Sequence, residues 1–145
     1  MKITILPPEP GQEDEIILRC AHLDERMLSL IQALKSEPLK LSAYSDDGIT
    51  LLAPQDVYYF EAVDNRVFAY VETQVYEIRK KLYELEDELA GTDFLRVSKS
   101  TIVDLSKVIH LSAAFNGRLE AKLKNGEKII ISRQYVPNLK KKLGL

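Results

Sequence analysis

The sequence predicts a mainly β fold with a few helices, and three features carry that reading. Two Asn-Gly dipeptides, Asn116-Gly117 and Asn125-Gly126, sit between apolar runs and mark hairpin turns. Residues 118–124 alternate cleanly, with Leu119, Ala121 and Leu123 on one face and Arg118, Glu120, Lys122 and Lys124 on the other. Short runs rich in Ile, Val, Tyr and Phe recur through the chain, bounded by Pro, Gly, Asn and Asp.

Residues 2–6 alternate and stop at Pro7-Pro8, which predicts an edge strand, and Ile16 to Cys20 predicts a second. Leu23 to Lys35 reads as a helix. Asp24 is the capping residue, Leu23 and Leu28 occupy staple positions, and Met27, Leu30, Ile31 and Leu34 recur at helical spacing. Ser36-Glu37-Pro38 ends that helix, and Leu39 to Tyr44 predicts another strand. Residues 1–45 thus read as a small β-β-α-β extension, too small to be stable without packing on the rest. Residues 46–145 read as the main domain. Within it, Ser45-Asp46-Asp47-Gly48 is a turn, Ile49 to Ala53 and Val57 to Val63 are strands, and Asp64-Asn65 turns the chain into a strand from Val67 to Val71. Ile78, Leu82, Leu85 and Leu89 predict a helix closed by a C′ glycine at Gly91. Its last turns carry Glu84, Glu86, Asp87 and Glu88, the wrong sign for the helix dipole, so packing must hold that end. After Phe94 the pattern returns to strands. Val108 to Phe115, 118–124 and Ile129 to Ile131 follow, joined by two Asn-Gly turns of the same kind. A short basic segment, Val136 to Leu143, closes the chain.

A chain of 145 residues with 46% hydrophobic and 29% charged side chains has the composition of a folded globular protein. No apolar run reaches the length of a membrane helix, and the start of the chain lacks the apolar region and cleavage site of a signal peptide. One cysteine, Cys20, allows no internal disulfide, and the expected location is the cytoplasm. Net charge is −2, but it is unevenly spread. Residues 1–92 hold 9 Lys and Arg against 18 Asp and Glu, whereas residues 93–145 hold 11 against 4. That asymmetry points to a polyanionic partner for the second region, against the plainer reading of a solvated basic face.

Catalytic signals are weak. Cys20 and His22 lie close in sequence, but two ligands do not make a zinc site, and a buried thiol near a surface imidazole explains them without chemistry. His110 sits between Ile109 and Leu111 as an ordinary strand residue, and no glycine-rich phosphate loop occurs. No cofactor or metal is expected, and an enzyme is not. The basic half is more informative. Arg96, Ser98, Lys99 and Ser100 interleave cations with short hydroxyl side chains, a combination that neutralises phosphates and adds directional contacts. Ser132-Arg133-Gln134-Tyr135 is a second such cluster, where Arg can pair with guanine and Gln with adenine. Each cation alone reads as a solvated surface charge; the clusters and the charge split together favour binding.

Several of these segments resemble, in order, those of the LytTR family of DNA-binding domains. Residues 94–104, FLRVSKSTIVD, are similar to the family's signature, in which Phe leads into an Arg-Ile-His-Arg-Ser-like loop and then Val-Asn. Ser132-Arg133-Gln134-Tyr135 followed by Leu139-Lys140 resembles the closing Ser-Arg-x-Tyr motif. The Asn125-Gly126 hairpin, Tyr58-Tyr59-Phe60-Glu61 and the helix ending Leu85 to Leu89 fall in the family's order, so the resemblance covers roughly residues 46–145. Two positions depart: Ser98 stands where the family usually has His, and Asp104 where it has Asn. A carboxylate facing a phosphate would repel it, so Asp104 is expected to hydrogen-bond within the protein.

The resemblance implies a LytTR-like ten-stranded β fold whose loops enter successive major grooves of double-stranded DNA, often bending it, at paired repeats. Carried over by position, Lys99 and Ser100 lie in one contact loop, Arg133 to Asn138 in another, and Asn65 and Arg66 in a third. Lys122, Lys124 and Lys140 are expected to add phosphate contacts, and Arg96, Ser98, Tyr135 and Asn138 complete the expected DNA-binding set. Residues 1–45 are too few for a receiver domain. The resemblance therefore implies a stand-alone transcription regulator, a homodimer at least on DNA, with a membrane-bound antagonist protein as a partner but no membrane insertion of its own. The alternative is a protein-interaction or ligand-binding module of the same fold, and a small hydrolase using Cys20 and His22 ranks far below both.

Overall fold

A strand exists only where a neighbour completes its hydrogen-bond ladder, and that requirement sorts the predicted strands. The computed structural model describes residues 1–35 and 39–145, so the helix end expected at Ser36-Glu37-Pro38 lies outside the described residues. The chain divides into two units, Met1–Glu37 and Pro38–Leu145. In the first, helix α1 spans Glu25–Lys35. Its cap is the one the sequence predicts, since the Asp24 carboxylate accepts the Met27 N–H at 2.9 Å. The strands expected over 2–6 and 16–20 do not form, and residues 1–24 hold no strand. Neither segment finds a partner ladder, and Ile3 and Ile5 are exposed. In place of a β-β-α-β extension, this unit is a single helix preceded by irregular chain.

All ten strands of the described residues lie in the second unit. They are β1 (Leu41–Ser45), β2 (Gly48–Leu52), β3 (Tyr59–Val63), β4 (Arg66–Tyr70), β5 (Val75–Ile78), β6 (Phe94–Arg96), β7 (Thr101–Asp104), β8 (Val108–Ala113), β9 (Leu119–Leu123) and β10 (Lys128–Ile131). Seven form an antiparallel sheet in the order β2-β1-β5-β4-β3-β7-β6, and three form a second in the order β10-β9-β8. The strand expected at the end of the extension is β1, and it lies inside the large sheet between β2 and β5.

Helices α2 (Leu82–Glu88) and α3 (Val136–Leu143) complete the unit. Ile78, expected on the face of a longer helix, belongs to β5 and pairs with Val67 and Ala43. The four residues Val75 to Ile78 satisfy their backbone groups on β4 and β1, so α2 begins only at Leu82. Gly91 takes a left-handed φ of 81°, two residues beyond the Leu89 cap and not at C′ itself. The acidic end of α2 is held by packing, with Leu85 and Leu89 buried, and by the Glu88 pair with Lys80 at 2.6 Å.

Period-two alternation places two cores on opposite faces of the large sheet. Phe60, Ala69, Ile78 and Ile102 pack with Leu82 and Leu85 of α2 and with its cap Leu89. Tyr59 and Val103 pack with Ala121, Leu123, Ile129 and Ile131 of the small sheet and with Leu139 of α3. The β9 alternation is as predicted, since Ala121 and Leu123 are buried while Lys122 and Lys124 are exposed. The two Asn-Gly turns differ. Asn116 and Gly117 both take positive φ, whereas at the second only Gly126 does, because Asn125 uses its side chain to accept the Glu127 N–H at 3.0 Å.

Candidate nucleic-acid interface

Loops become a site when the sheet delivers them to one end. Glu61 of β3 pairs with Thr101 of β7, and the Ala62 N–H donates to the Ser100 carbonyl at 2.8 Å. The Asp64-Asn65 turn and the loop 97–100 therefore leave the large sheet at the same end. Positive φ values of 52° and 62° at Asp64 and Asn65 make that turn as tight as the sequence predicts. The loop before β7 is closed by the Val97 N–H on the Thr101 carbonyl at 3.0 Å, with Val97 fully buried as its anchor. That leaves Ser98, Lys99 and Ser100 at the tip. The Ser98 hydroxyl accepts the Ser100 N–H at 3.2 Å, which holds both hydroxyls on one side.

One hydrogen bond ties the second basic cluster to the first. The Ser132 N–H donates to the Val97 carbonyl at 2.9 Å, bringing the turn Arg133–Tyr135 beside the loop. The turn Phe115–Gly117 joins them from the small sheet. Together the three loops line an open groove of about 740 Å³ formed by Ser98, Lys99, Ser100, Asn116, Arg118, Ser132, Arg133 and Gln134. No carboxylate lines it. The ion pairs of the described residues are Arg66–Glu77, Lys80–Glu88, Arg96–Glu86, Lys107–Asp104 and Lys128–Glu120, so Lys99, Arg118 and Arg133 are exposed without an ionic partner. Gly117 belongs to this geometry. It has a φ of 74°, and a Cβ there would meet Arg133 Cδ at 3.0 Å and Cγ at 3.2 Å, so the arginine stem lies directly over the glycine.

The structure sorts the predicted residues. Ser98, Lys99, Ser100 and Arg133 share the groove. Arg96 does not open into it: Nε donates to the Ser98 carbonyl at 2.8 Å, Nη2 donates to the Lys99 carbonyl, and Nη1 lies 3.6 Å from Glu86 of α2. Its guanidinium braces the loop from behind. Asn65 and Arg66 stand at the same sheet end but outside the groove, and Arg66 hydrogen-bonds Glu77. That bond holds the Glu77 carboxyl below the usual glutamate range and raises the arginine. Tyr135 packs on the core beneath α3, while Asn138 and Lys140 are exposed on α3 beyond the groove. Lys122 and Lys124 are not brought to it. Lys124 lies six residues along β9 from Arg118, about 20 Å at the rise of a strand, and its N–H bonds the Lys107 carbonyl.

Sequence reasoning missed Asn116 and Arg118. Asn116 was legible only as a turn former, and Arg118 only as part of the polar face it shares with Lys122 and Lys124. Alternation gives the face of a strand and not which of its ends meets another loop. Asp104 behaves as expected: it is buried and accepts from the Ser106 N–H at 2.9 Å, the Ser106 hydroxyl at 2.7 Å and Lys107 Nζ at 2.8 Å. It is turned to the protein, and Lys107 carries the bond on to the carbonyls of Gln55 and Val57. Cys20 is exposed, and among the described residues no three His, Cys, Asp or Glu side chains gather to hold a metal. No helix among the described residues is long and apolar enough to cross a membrane.

The family model of the LytTr DNA-binding domain matches residues 47–144, which takes in every strand from β2 to β10 and all three loops of the groove. The chain belongs to the LytTr DNA-binding domain family. A LytTr DNA-binding domain from Bacillus cereus superimposes with a TM-score of 0.70 at 24% identity, covering 73% of this chain and 97% of that one, and bears out the mainly β fold. Among curated relatives, the sensory transduction protein LytT of Enterococcus faecalis is 34% identical over 111 residues, 77% of this chain. The chain spans 45% of that relative's length. An uncharacterized HTH-type transcriptional regulator of Staphylococcus aureus is 27% identical over 147 aligned positions, covering all of this chain and 99% of the relative.

Proposed function

We propose that this LytTr protein is a transcription regulator that binds double-stranded DNA through the groove between loops 98–100, 116–118 and 132–134. The single observation that carries the reading is the convergence of Lys99, Arg118 and Arg133, all without ionic partners, on one concave surface free of carboxylates. Cations left unpaired in the free protein have a phosphate backbone as their natural partner, and the Ser hydroxyls beside them add directional contacts. Base edges are read by Arg133 and Gln134, whose side chains match guanine and adenine in the major groove. Loops do this work, because α1, α2 and α3 are separated by strands and form no helix–turn–helix pair among the described residues. Arg66, released from Glu77, supplies a further contact from the Asn65 turn. The regulator acts as a homodimer on paired half-sites, under the control of a membrane-bound antagonist.

Binding of short duplexes, measured by fluorescence anisotropy across a range of salt, tests this. Affinity falls steeply with salt, and Lys99→Ala, Arg118→Ala and Arg133→Ala each lower the slope of log K against log salt by about 1. Arg133→Ala also relaxes base preference by about 1–3 kcal/mol. Salt-independent binding, or a slope unmoved by all three changes, contradicts the reading and favours a protein or small-molecule ligand.

A further inference from the structure

The groove is polar and cationic, yet the loop that carries Asn116 and Arg118 into it begins with a phenylalanine that is 84% exposed. Lone exposed apolar residues are common on protein surfaces, but this one is placed unusually. Phe115 sits at the tip of the β8–β9 hairpin, and its ring stacks on no other aromatic of the described residues. The backbone holding it is well defined: the Ala114 N–H bonds the Arg118 carbonyl at 2.9 Å, Asn116 sits at φ 60° and ψ 40°, and Gly117 follows at φ 74°. Phe115 is also next in sequence to Asn116, and three residues from Arg118, both lining the groove with Lys99 and Arg133. A ring has nothing to offer a phosphate. What a duplex offers a ring is the methyl of a thymine at the major-groove edge or, where a step unstacks, the face of a base.

We infer that Phe115 is a wedge that enters a flexible pyrimidine–purine step of bound DNA and kinks the duplex, while Lys99, Arg118 and Arg133 hold the flanking phosphates. The inference rests on the groove being the DNA interface and adds to it the residue that deforms the DNA. Phe115 carries no charge, so its contribution is independent of salt, unlike that of its neighbours. Since Phe115 is 84% exposed in the free protein, removing the ring leaves folding unchanged.

The test uses the full chain and short duplexes enriched from random DNA by the wild-type protein. The duplexes are end-labelled for energy transfer, and 2-aminopurine replaces the purine at successive pyrimidine–purine steps. Wild-type protein shortens the end-to-end distance and brightens 2-aminopurine at a discrete step. Phe115→Ala loses both signals and binds about tenfold or more weakly, with an unchanged salt slope and an unchanged melting temperature. Phe115→Trp keeps both signals. The wedge is overturned if Phe115→Ala bends and unstacks DNA like the wild type, or if its affinity falls while bend and unstacking persist. A wild-type protein that binds no duplex removes the interface itself and the wedge with it, whereas a salt slope unmoved by the Lys99, Arg118 and Arg133 variants overturns the groove apart from Phe115.

Discussion

Gly117 links the conformation of one residue to the position of the Arg133 side chain, which we propose reads DNA, and Gly117→Ala separates the two effects. Its φ of 74° lies where an L side chain crowds the following carbonyl, at a cost of about 1–2 kcal/mol. For a unit of about 100 residues that lowers the melting temperature by roughly 5–10 °C. The new Cβ would also meet Arg133 Cδ at 3.0 Å and Cγ at 3.2 Å. Those atoms belong to an exposed, flexible stem, so they move aside at little cost to stability and carry the guanidinium with them. Affinity for DNA therefore falls as well. A double-mutant cycle isolates that part. In an Arg133→Ala background the Cβ has no stem to displace, so Gly117→Ala lowers the melting temperature by the same amount and affinity no further. Calorimetry and anisotropy on the four proteins measure both. An unchanged melting temperature would refute the left-handed backbone, and strictly additive losses of affinity would refute the contact with Arg133.

Other outcomes follow from the same geometry. Arg96→Lys removes the fork that holds the carbonyls of Ser98 and Lys99; amide exchange at Ser100 rises and affinity drops with the salt slope intact, whereas a lower slope would make Arg96 a phosphate contact. Asp104→Ala leaves Lys107 and Ser106 without their buried acceptor and destabilises the domain by about 3 kcal/mol, read by urea denaturation; a loss near zero would show the pair to be dispensable. The Glu77 carboxyl is depressed by its bond from Arg66, so the stability it lends is full above the unfolded glutamate value and is lost as pH falls through the lower folded value. Carbon NMR titration sees that midpoint return to the ordinary glutamate range in Arg66→Ala, and a midpoint that stays put removes the pair.

Much of the fold was legible because local pattern and final pairing agree. The alternation of 118–124 is the burial pattern of β9, and the two apolar faces of Tyr59-Phe60 open onto the two cores. Misreadings came where a pattern needed something distant. Residues 2–6 alternate and 16–18 are an apolar run, but neither segment finds a ladder, and Ile78 fits a helical spacing while its backbone is satisfied by β4 and β1. Likewise, each basic cluster was legible as chemistry, but their meeting depends on the bond from Ser132 to Val97 and on Val97 and Ile131 sharing one core, across a long stretch of chain that no local pattern reports. Arg96 is read by its composition as a contact, while its donors in the free protein turn back onto the loop that it shapes.

Titration of isotope-labelled protein with a selected duplex, followed by amide chemical shifts, bears most directly on the three-loop groove. Shifts concentrated at 98–100, 116–118 and 132–134, with smaller changes at the Asn65 turn, are the predicted result. Shifts confined to α2 or to the Lys122–Lys124 end of the small sheet would contradict it.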